Sequence, residues 1–547
     1  MANRLFPLLR WLGGIVVALV LVAGALGIYI YSLIPAPVDT LPPLQRELFD
    51  APTSPASPVA GRYLFRSATE LAGLIRTRQA SSEAIVAEHI AFIRARNHAI
   101  DALVWLRADA ALAQAKAADA AVVRGEALGP LHGVPITVKE MFGVTGLPQT
   151  FNAKTLTLIA KEDAPLVATL RKAGAIVLGT TNLPYMLADY QTAGEIYPTG
   201  SNPYDTTRTP GGSTGGGAAA VAAGFSTLEL GSDMGGSVRV PAAFCGLWAY
   251  KATMGALNLT QGTNPMPSAT FTRFAMASPG ILARSVGDLT VAWEVLKETP
   301  IDPAFQQPRA WKAASARALA DYRIAVADEW ESANGPIAVG QSVKAELAAF
   351  TDALTAKGAT VARAGPANVY DDMERNFLSS FALMQAEGQP WLMRKLMAFD
   401  LRKLAPSDAA ATVIDTALAD GSDAAWQAAQ ADRQHLIAKW DTFFETHDVL
   451  ITPITYGPAF KKTATGTPID GDTGPVPYLK YVPYSYVVNA TGHPTVSIPL
   501  GLDAQGLPVG VQAIGRQFED AELLHFAGLI EPLVAGYVAP PAFAVVR

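Results

Sequence analysis

Cysteine is almost absent from this chain: Cys245 stands alone in 547 residues, so no intramolecular disulfide can form. Stability must then come from core packing, whichever redox compartment the chain occupies. Histidine is sparse as well. The seven present (His89, His98, His132, His435, His447, His493 and His525) show neither HExxH nor HxH spacing. That pattern argues against a zinc site, and no metal or other cofactor is expected. Only 16% of residues are charged, with a formal net charge of −6, and no basic run offers a stripe for phosphates. Nucleic acid is therefore not an expected partner. Half of the residues are hydrophobic, which excludes an intrinsically disordered chain and supplies a large core.

What the chain has in excess appears first at its N-terminus. Residues Trp11 to Ile34 run for 24 positions without a charge. As a helix they would span about 36 Å, against roughly 30 Å of bilayer hydrocarbon. Arg4 and Arg10 precede this run and the next basic residue is Arg46. The positive-inside rule then places residues 1–10 in the cytoplasm and 11–34 across the membrane. The remainder would lie on the non-cytoplasmic side, facing the periplasm from a bacterial inner membrane. Trp11, Tyr29 and Tyr31 suit the interfaces. Ala23-Gly24-Ala25 has the form of a cleavage site, so a cleaved signal peptide is the alternative. Residues 35–60 carry seven prolines and read as a semi-extended linker. A catalytic domain is expected over 61–547.

Within that domain the pattern is α/β. Ser67 to Arg76 and Ser81 to Ala95 read as helices capped by serine, and Ala108 to Arg124 as an alanine-rich third. Apolar runs at Val134 to Val138 and Ala175 to Leu178 alternate with a helical one at Ala164 to Ala173, which favours a sheet covered by helices. Residues 340–445 read mostly helical. Short strands return at Thr495 to Pro499 and Val509 to Ile514.

Two glycine-rich passages stand out, PGGSTGGGAAA from Pro210 and GSDMGGSVRVPAA from Gly231, with Ser213 and Ser237 spaced 24 apart. Glycines around a serine let the backbone turn sharply and let a carbonyl approach main-chain N–H groups. Two assignments compete on chemistry alone. Gly211 to Gly215 satisfies G-x-S-x-G, the nucleophile elbow, which would make Ser213 the nucleophile. That elbow requires a strand running into the serine, whereas SNPYDTTRTP before it is a polar, proline-bearing loop. The other assignment uses both serines with Lys139, which ends the apolar run LHGVPITVKEM. Desolvation among Val134, Ile136, Val138, Met141 and Phe142 would lower its pKa and make it a general base. Cys245, in PAAFCGL, reads as a core residue, and Arg239 as a buttress of the loop that holds Ser237.

GGSTGGGAAAVAAG followed by GSDMGGSVRVPAAFCG closely resembles the signature of the amidase signature family. That family includes fatty acid amide hydrolases, aryl acylamidases, peptide amidases and the A subunit of the tRNA-dependent amidotransferase. The resemblance extends through GVPITVKE, GTTNLP, DVLITPIT, NATGHPTVSIPLG and GLPVGVQAIG, from about residue 65 to 535. It implies an α/β fold with a large mixed sheet covered by helices. It also implies Ser237 as nucleophile, Ser213 as a bridging serine after a cis peptide at Gly212–Ser213, and Lys139 as base. The N–H groups of Met234, Gly235, Gly236 and Ser237 would form the oxyanion hole. The reaction implied is cleavage of a carboxylic amide through an acyl-enzyme.

The sequence departs from the commoner family pattern at Glu140, Thr214 and Thr180. Tyr185 stands where the amidotransferase subunit typically has an acidic residue, which weakens that alternative. Leu187 aligns with a substrate-contacting residue of the fatty acid amide hydrolases. The segments Met186 to Tyr197 and Met373 to Phe399 are expected to line the pocket, and their apolar content points to a hydrophobic or aryl acyl group. The expected partners are a small-molecule amide and, through the N-terminal helix, the membrane; the sequence is compatible with a homodimer. A membrane-tethered binding protein without catalysis is the third reading, opposed by the presence of all three catalytic side chains.

Overall fold

The computed structural model describes residues 39–51, 61–257, 259, 276–299 and 311–545. The anchor expected at 11–34 lies outside the described residues. Among the described residues, no helix is long and apolar enough to cross a membrane.

Eleven strands form one mixed sheet: β1 Leu103–Leu106, β2 Pro135–Lys139, β3 Ile176–Thr181, β4 Leu228–Asp233, β5 Trp248–Lys251, β6 Ser278–Ala283, β7 Arg323–Val326, β8 Thr360–Arg363, β9 Val449–Pro453, β10 Thr495–Leu502 and β11 Pro508–Ile514. Their spatial order is β1-β3-β2-β4-β6-β5-β10-β11-β9-β7-β8. The run β3-β2-β4 is parallel, as is β9-β7-β8, and the other pairings are antiparallel. Strands β2, β3 and β4 are buried along their whole length. Strands covered on both faces read as continuous apolar runs, which is why β2 and β3 are visible in the sequence.

The helices starting at Ala68 and Ser82 begin at serine side-chain caps. Ser67 Oγ accepts from Glu70 N at 3.0 Å ahead of helix Ala68–Arg76, and Ser81 Oγ accepts from Ala84 N at 3.1 Å ahead of helix Ser82–Arg96. Helix Ala108–Arg124 buries Ala111, Ala115 and Ala118 and ends at Gly125 with φ +72°, the left-handed closure that glycine adopts without penalty. The expected helical stretch 340–445 holds five helices, Gln341–Ala356, Tyr370–Ala386, Trp391–Arg402, Asp408–Asp420 and Asp423–Thr446. Strand β8 interrupts it, an edge strand with Thr360, Ala362 and Arg363 exposed.

Part of the expected 35–60 linker is not a free spacer. Residues 39–51 lie against the domain because Leu48 is fully buried and Gln45 bonds both backbone groups of Leu106. Asp39 also accepts from Ile159 N at 2.7 Å.

Candidate active site

The parallel pair β2 and β4 sets the site. Their register places Thr137 opposite Glu229 and Val138 opposite Leu230, so Lys139 leaves the end of β2 beside Ser232 and Asp233 at the end of β4. Lys139 is fully buried, and its Nζ donates to Ser213 Oγ at 2.7 Å and to Ser232 Oγ at 3.1 Å. Burial pushes its pKa down from the ordinary 10.5 to about 7, against the opposing pull of Asp233 and Glu229. A lysine in that range is neutral often enough to take a proton, and its nearest acceptor and donor is a serine hydroxyl.

Ser213 sits at the head of helix Gly215–Ala222, after a cis peptide at Gly212–Ser213. The chain before it is a loop and no strand runs into it, so the elbow geometry is not present. Ser237 lies in the turn between β4 and helix Arg239–Phe244. The Ser237 carbonyl accepts from Thr214 N at 3.0 Å, which ties the two serine loops together. Lys139, Ser213 and Ser237 therefore meet in one place, although 74 residues separate the first two and 24 the last two.

A buried ion pair fixes the Ser237 turn. Asp233 and Arg239 are both inaccessible to solvent and lie 2.9 Å apart. The Asp233 carboxylate also accepts from Gly236 N at 2.9 Å and Val238 N at 3.1 Å. Arg239 donates onward to Gln512 at 2.9 Å and to Asn489. These donors hold the Asp233 pKa well below the usual carboxylate range despite burial. Arg239 thus buttresses the loop, as its sequence position suggests. Gly236 has φ +103°, and a Cβ there would fall 2.4 Å from Ser485 Oγ. The Gly235 carbonyl accepts from Tyr190 OH at 2.7 Å and from Ser485 Oγ at 3.3 Å.

Glu140, next to the lysine, is engaged elsewhere. It accepts from Thr150 N and Oγ1, both at 2.6 Å, from Phe151 N at 3.1 Å and from Tyr197 OH at 2.9 Å, while burial raises its pKa to about 7. Cys245 is a buried core residue whose thiol is pushed far up by burial.

A cavity of about 440 Å³ opens on Ser213, Ser237, Met234 and Gly235. Leu187 lines it, with Met186, Tyr190, Phe377, Phe381 and Met393 from the two expected segments. Trp391 does not; it is 63% exposed. Helices Tyr370–Ala386 and Trp391–Arg402 add Met384, Met397 and Leu401 to the cavity wall. Among the described lining residues Asp189 is the single charged one, and no arginine or lysine is present.

Sequence reasoning missed Ser232, Glu229 and the contacts of the Asp233–Arg239 pair with Asn489 and Gln512. Ser232 and Asp233 lie inside the recognised motif, but nothing in a linear pattern says that a serine beside the motif's aspartate will receive a hydrogen bond from Lys139. Asn489 and Gln512 come from distant segments.

A family model described as Amidase matches residues 84–524. The A subunit of the glutamyl-tRNA(Gln) amidotransferase of Anaeromyxobacter sp. (strain K) is 32% identical over 499 residues, covering 85% of this chain and 96% of its own. A solved structure described as an unexpected vestigial protein complex, revealing the evolutionary origins of an s-triazine catabolic enzyme, superposes with TM-score 0.70. It is 28% identical and covers 86% of this chain and 100% of its own. A bacterial aryl acylamidase of the amidase signature enzymes shares the fold at TM-score 0.69 and 23% identity, covering 86% of this chain and 96% of its own.

Proposed function

The chain belongs to the amidase family, and from that premise we propose that it hydrolyses carboxylic amides of hydrophobic or aryl acids through a Ser237–Ser213–Lys139 relay. The observation that carries this reading is the fully buried Lys139, with its pKa near neutrality, hydrogen-bonded to Ser213 at 2.7 Å.

In the proposed reaction, neutral Lys139 accepts the proton of Ser213 as Ser213 accepts that of Ser237. The freed Ser237 oxygen bonds to the amide carbon and the carbonyl becomes an oxyanion. Gly236 N–H is held by Asp233, so the oxyanion would be met chiefly by the N–H groups of Met234, Gly235 and Ser237. The proton returns through Ser213 to the amide nitrogen, the C–N bond breaks and the amine departs. Water, deprotonated by the same relay, then releases the acid and restores Ser237. The steps call for no metal or cofactor.

The acyl preference rests on the cavity wall. Met186, Leu187, Phe377, Phe381, Met393 and Met397 offer apolar surface to an acyl chain or ring. A second reading is an ammonia-releasing subunit like the amidotransferase relatives. Glutamine would bring a carboxylate into the cavity, and the described lining holds no cation to receive it. We further propose that residues 11–34 anchor the chain, with the catalytic domain on the non-cytoplasmic side.

A panel of fatty-acyl, aryl, peptide and glutamine amides, compared by kcat/KM, tests the substrate reading. Fatty-acyl or aryl amides should exceed glutamine by at least about two orders of magnitude. Glutamine as the best substrate would favour the amidotransferase reading instead.

A further inference from the structure

Strand β4 carries two buried acids near the lysine: Asp233 at its end, and Glu229, which pairs across from Thr137 and so lies on the same sheet face as Lys139 two residues on. Asp233 is neutralised by Arg239 and by main-chain N–H groups. Glu229 has no such partner. It is fully buried, Thr181 Oγ1 donates to its Oε1 at 2.6 Å, the Thr137 hydroxyl also favours its charged form, and its Oε2 makes no hydrogen bond among the described residues.

The protein nevertheless makes room for this carboxyl. Helix Gly215–Ala222 begins two residues after Ser213, and a Cβ on its Gly217 would lie 2.3 Å from the Glu229 carboxyl carbon. The acid is therefore pressed against the first turn of that helix, where the peptide dipoles favour a negative charge. A buried, half-satisfied acid costs stability, and an apolar residue of similar shape would fill the same space without that cost. The charged groups facing Lys139 are Asp233 and Glu229, and the charged group facing Glu229 is Lys139. Asp233 exerts the larger pull on the lysine but is locked in its ion pair with Arg239, so Glu229, held by hydroxyls alone, is the acid beside it that can change its charge.

We propose that Glu229 is a positioning residue that acts through Lys139: its carboxylate stabilises the lysine ammonium and so sets the pH at which the serine relay switches on. Burial raises the Glu229 pKa and lowers that of Lys139, and each group draws the other back toward its charged form. Because a carboxylate favours the ammonium, the neutral fraction of Lys139 is smaller with Glu229 present than it would be beside an uncharged isostere at the same pH. The sign of the effect follows from that alone.

The inference rests on Lys139 being the base, so the experiment measures both. The acidic limb of kcat/KM is recorded for the parent, Lys139→Ala and Glu229→Gln. Gln keeps the shape and the acceptor for Thr181 but cannot ionise. Its limb should move to lower pH by about half a unit or more, with thermal unfolding confirming a folded enzyme. A limb that stays in place or moves upward overturns the inference. If Lys139→Ala leaves the parent limb intact, the base assignment itself has failed; if it abolishes the limb while Glu229→Gln leaves it unmoved, only the role of Glu229 has failed. Thr181→Val carries the same test should Glu229→Gln not fold. Losing the Thr181 donor favours the neutral acid, so its limb should move in the same direction, and an unmoved limb in this variant also overturns the inference.

Discussion

In the proposed relay Lys139 both receives and returns the serine proton, so the effect of replacing it with alanine should depend on the leaving group. With its pKa lowered to about 7, roughly half of the lysine is neutral at pH 7. At the ordinary value of 10.5 only about one in three thousand would be. Burial therefore raises the concentration of usable base about a thousandfold, and amide hydrolysis should fall about tenfold per pH unit below the limb. A positioned general base contributes about 10²–10⁴ in rate, so Lys139→Ala should lower kcat/KM for amides by that factor, or about 3–5 kcal/mol in the barrier. An ester needs no proton on its leaving group and should lose less. The assay uses a matched amide and ester of one acyl group, measured as kcat/KM from about pH 5 to 9. The variant should prefer the ester more strongly than the parent does and should lose the acidic limb near pH 7. Equal losses for both substrates with the limb unchanged would refute the reasoning and make Lys139 structural.

Two further outcomes follow from the buried ion pair and the N-terminus. Arg239→Ala leaves Asp233 buried without its cation and should cost about 3–5 kcal/mol, read from chemical unfolding midpoints. Asp233 is held below its ordinary pKa, so the pair's stabilisation is complete at neutral pH and is lost only as pH falls below about 4; the deficit of the variant should shrink there. Removal of residues 1–38 should give an active enzyme free of the membrane fraction while the full chain sediments with it. Equal partitioning of both would contradict the anchor. The cut belongs before Asp39, which bonds to Thr157 and Ile159.

How much of this was legible in the sequence depends on whether the signal was local. Strands β2 and β3 announce themselves as apolar runs because both faces are covered, and the helices starting at Ala68 and Ser82 announce themselves through Ser67 and Ser81. Strand β8 stayed hidden inside a helical stretch because it is a four-residue edge with little to bury. The proposed trio of Lys139, Ser213 and Ser237 was drawn from glycine-flanked serines and a lysine ending an apolar strand, and the motif resemblance supplied the roles proposed for them. Its surroundings could not. Asn489 and Gln512 reach the Ser237 turn through tertiary packing, across separations that no spacing rule covers. The role of Glu229 was equally invisible, because a glutamate in a strand says nothing until the unpaired oxygen and the neighbouring glycine are seen together.

The central claim is that Ser237, and not Ser213, bonds to the acyl carbon. Intact-protein and peptide mass spectrometry after labelling with a fluorophosphonate tests it most directly, on the parent, Ser237→Ala and Ser213→Ala. The label should map to Ser237 in the parent, vanish with turnover in Ser237→Ala, and persist at a reduced rate in Ser213→Ala. A label carried by Ser213, surviving in Ser237→Ala and lost in Ser213→Ala, would contradict the assignment.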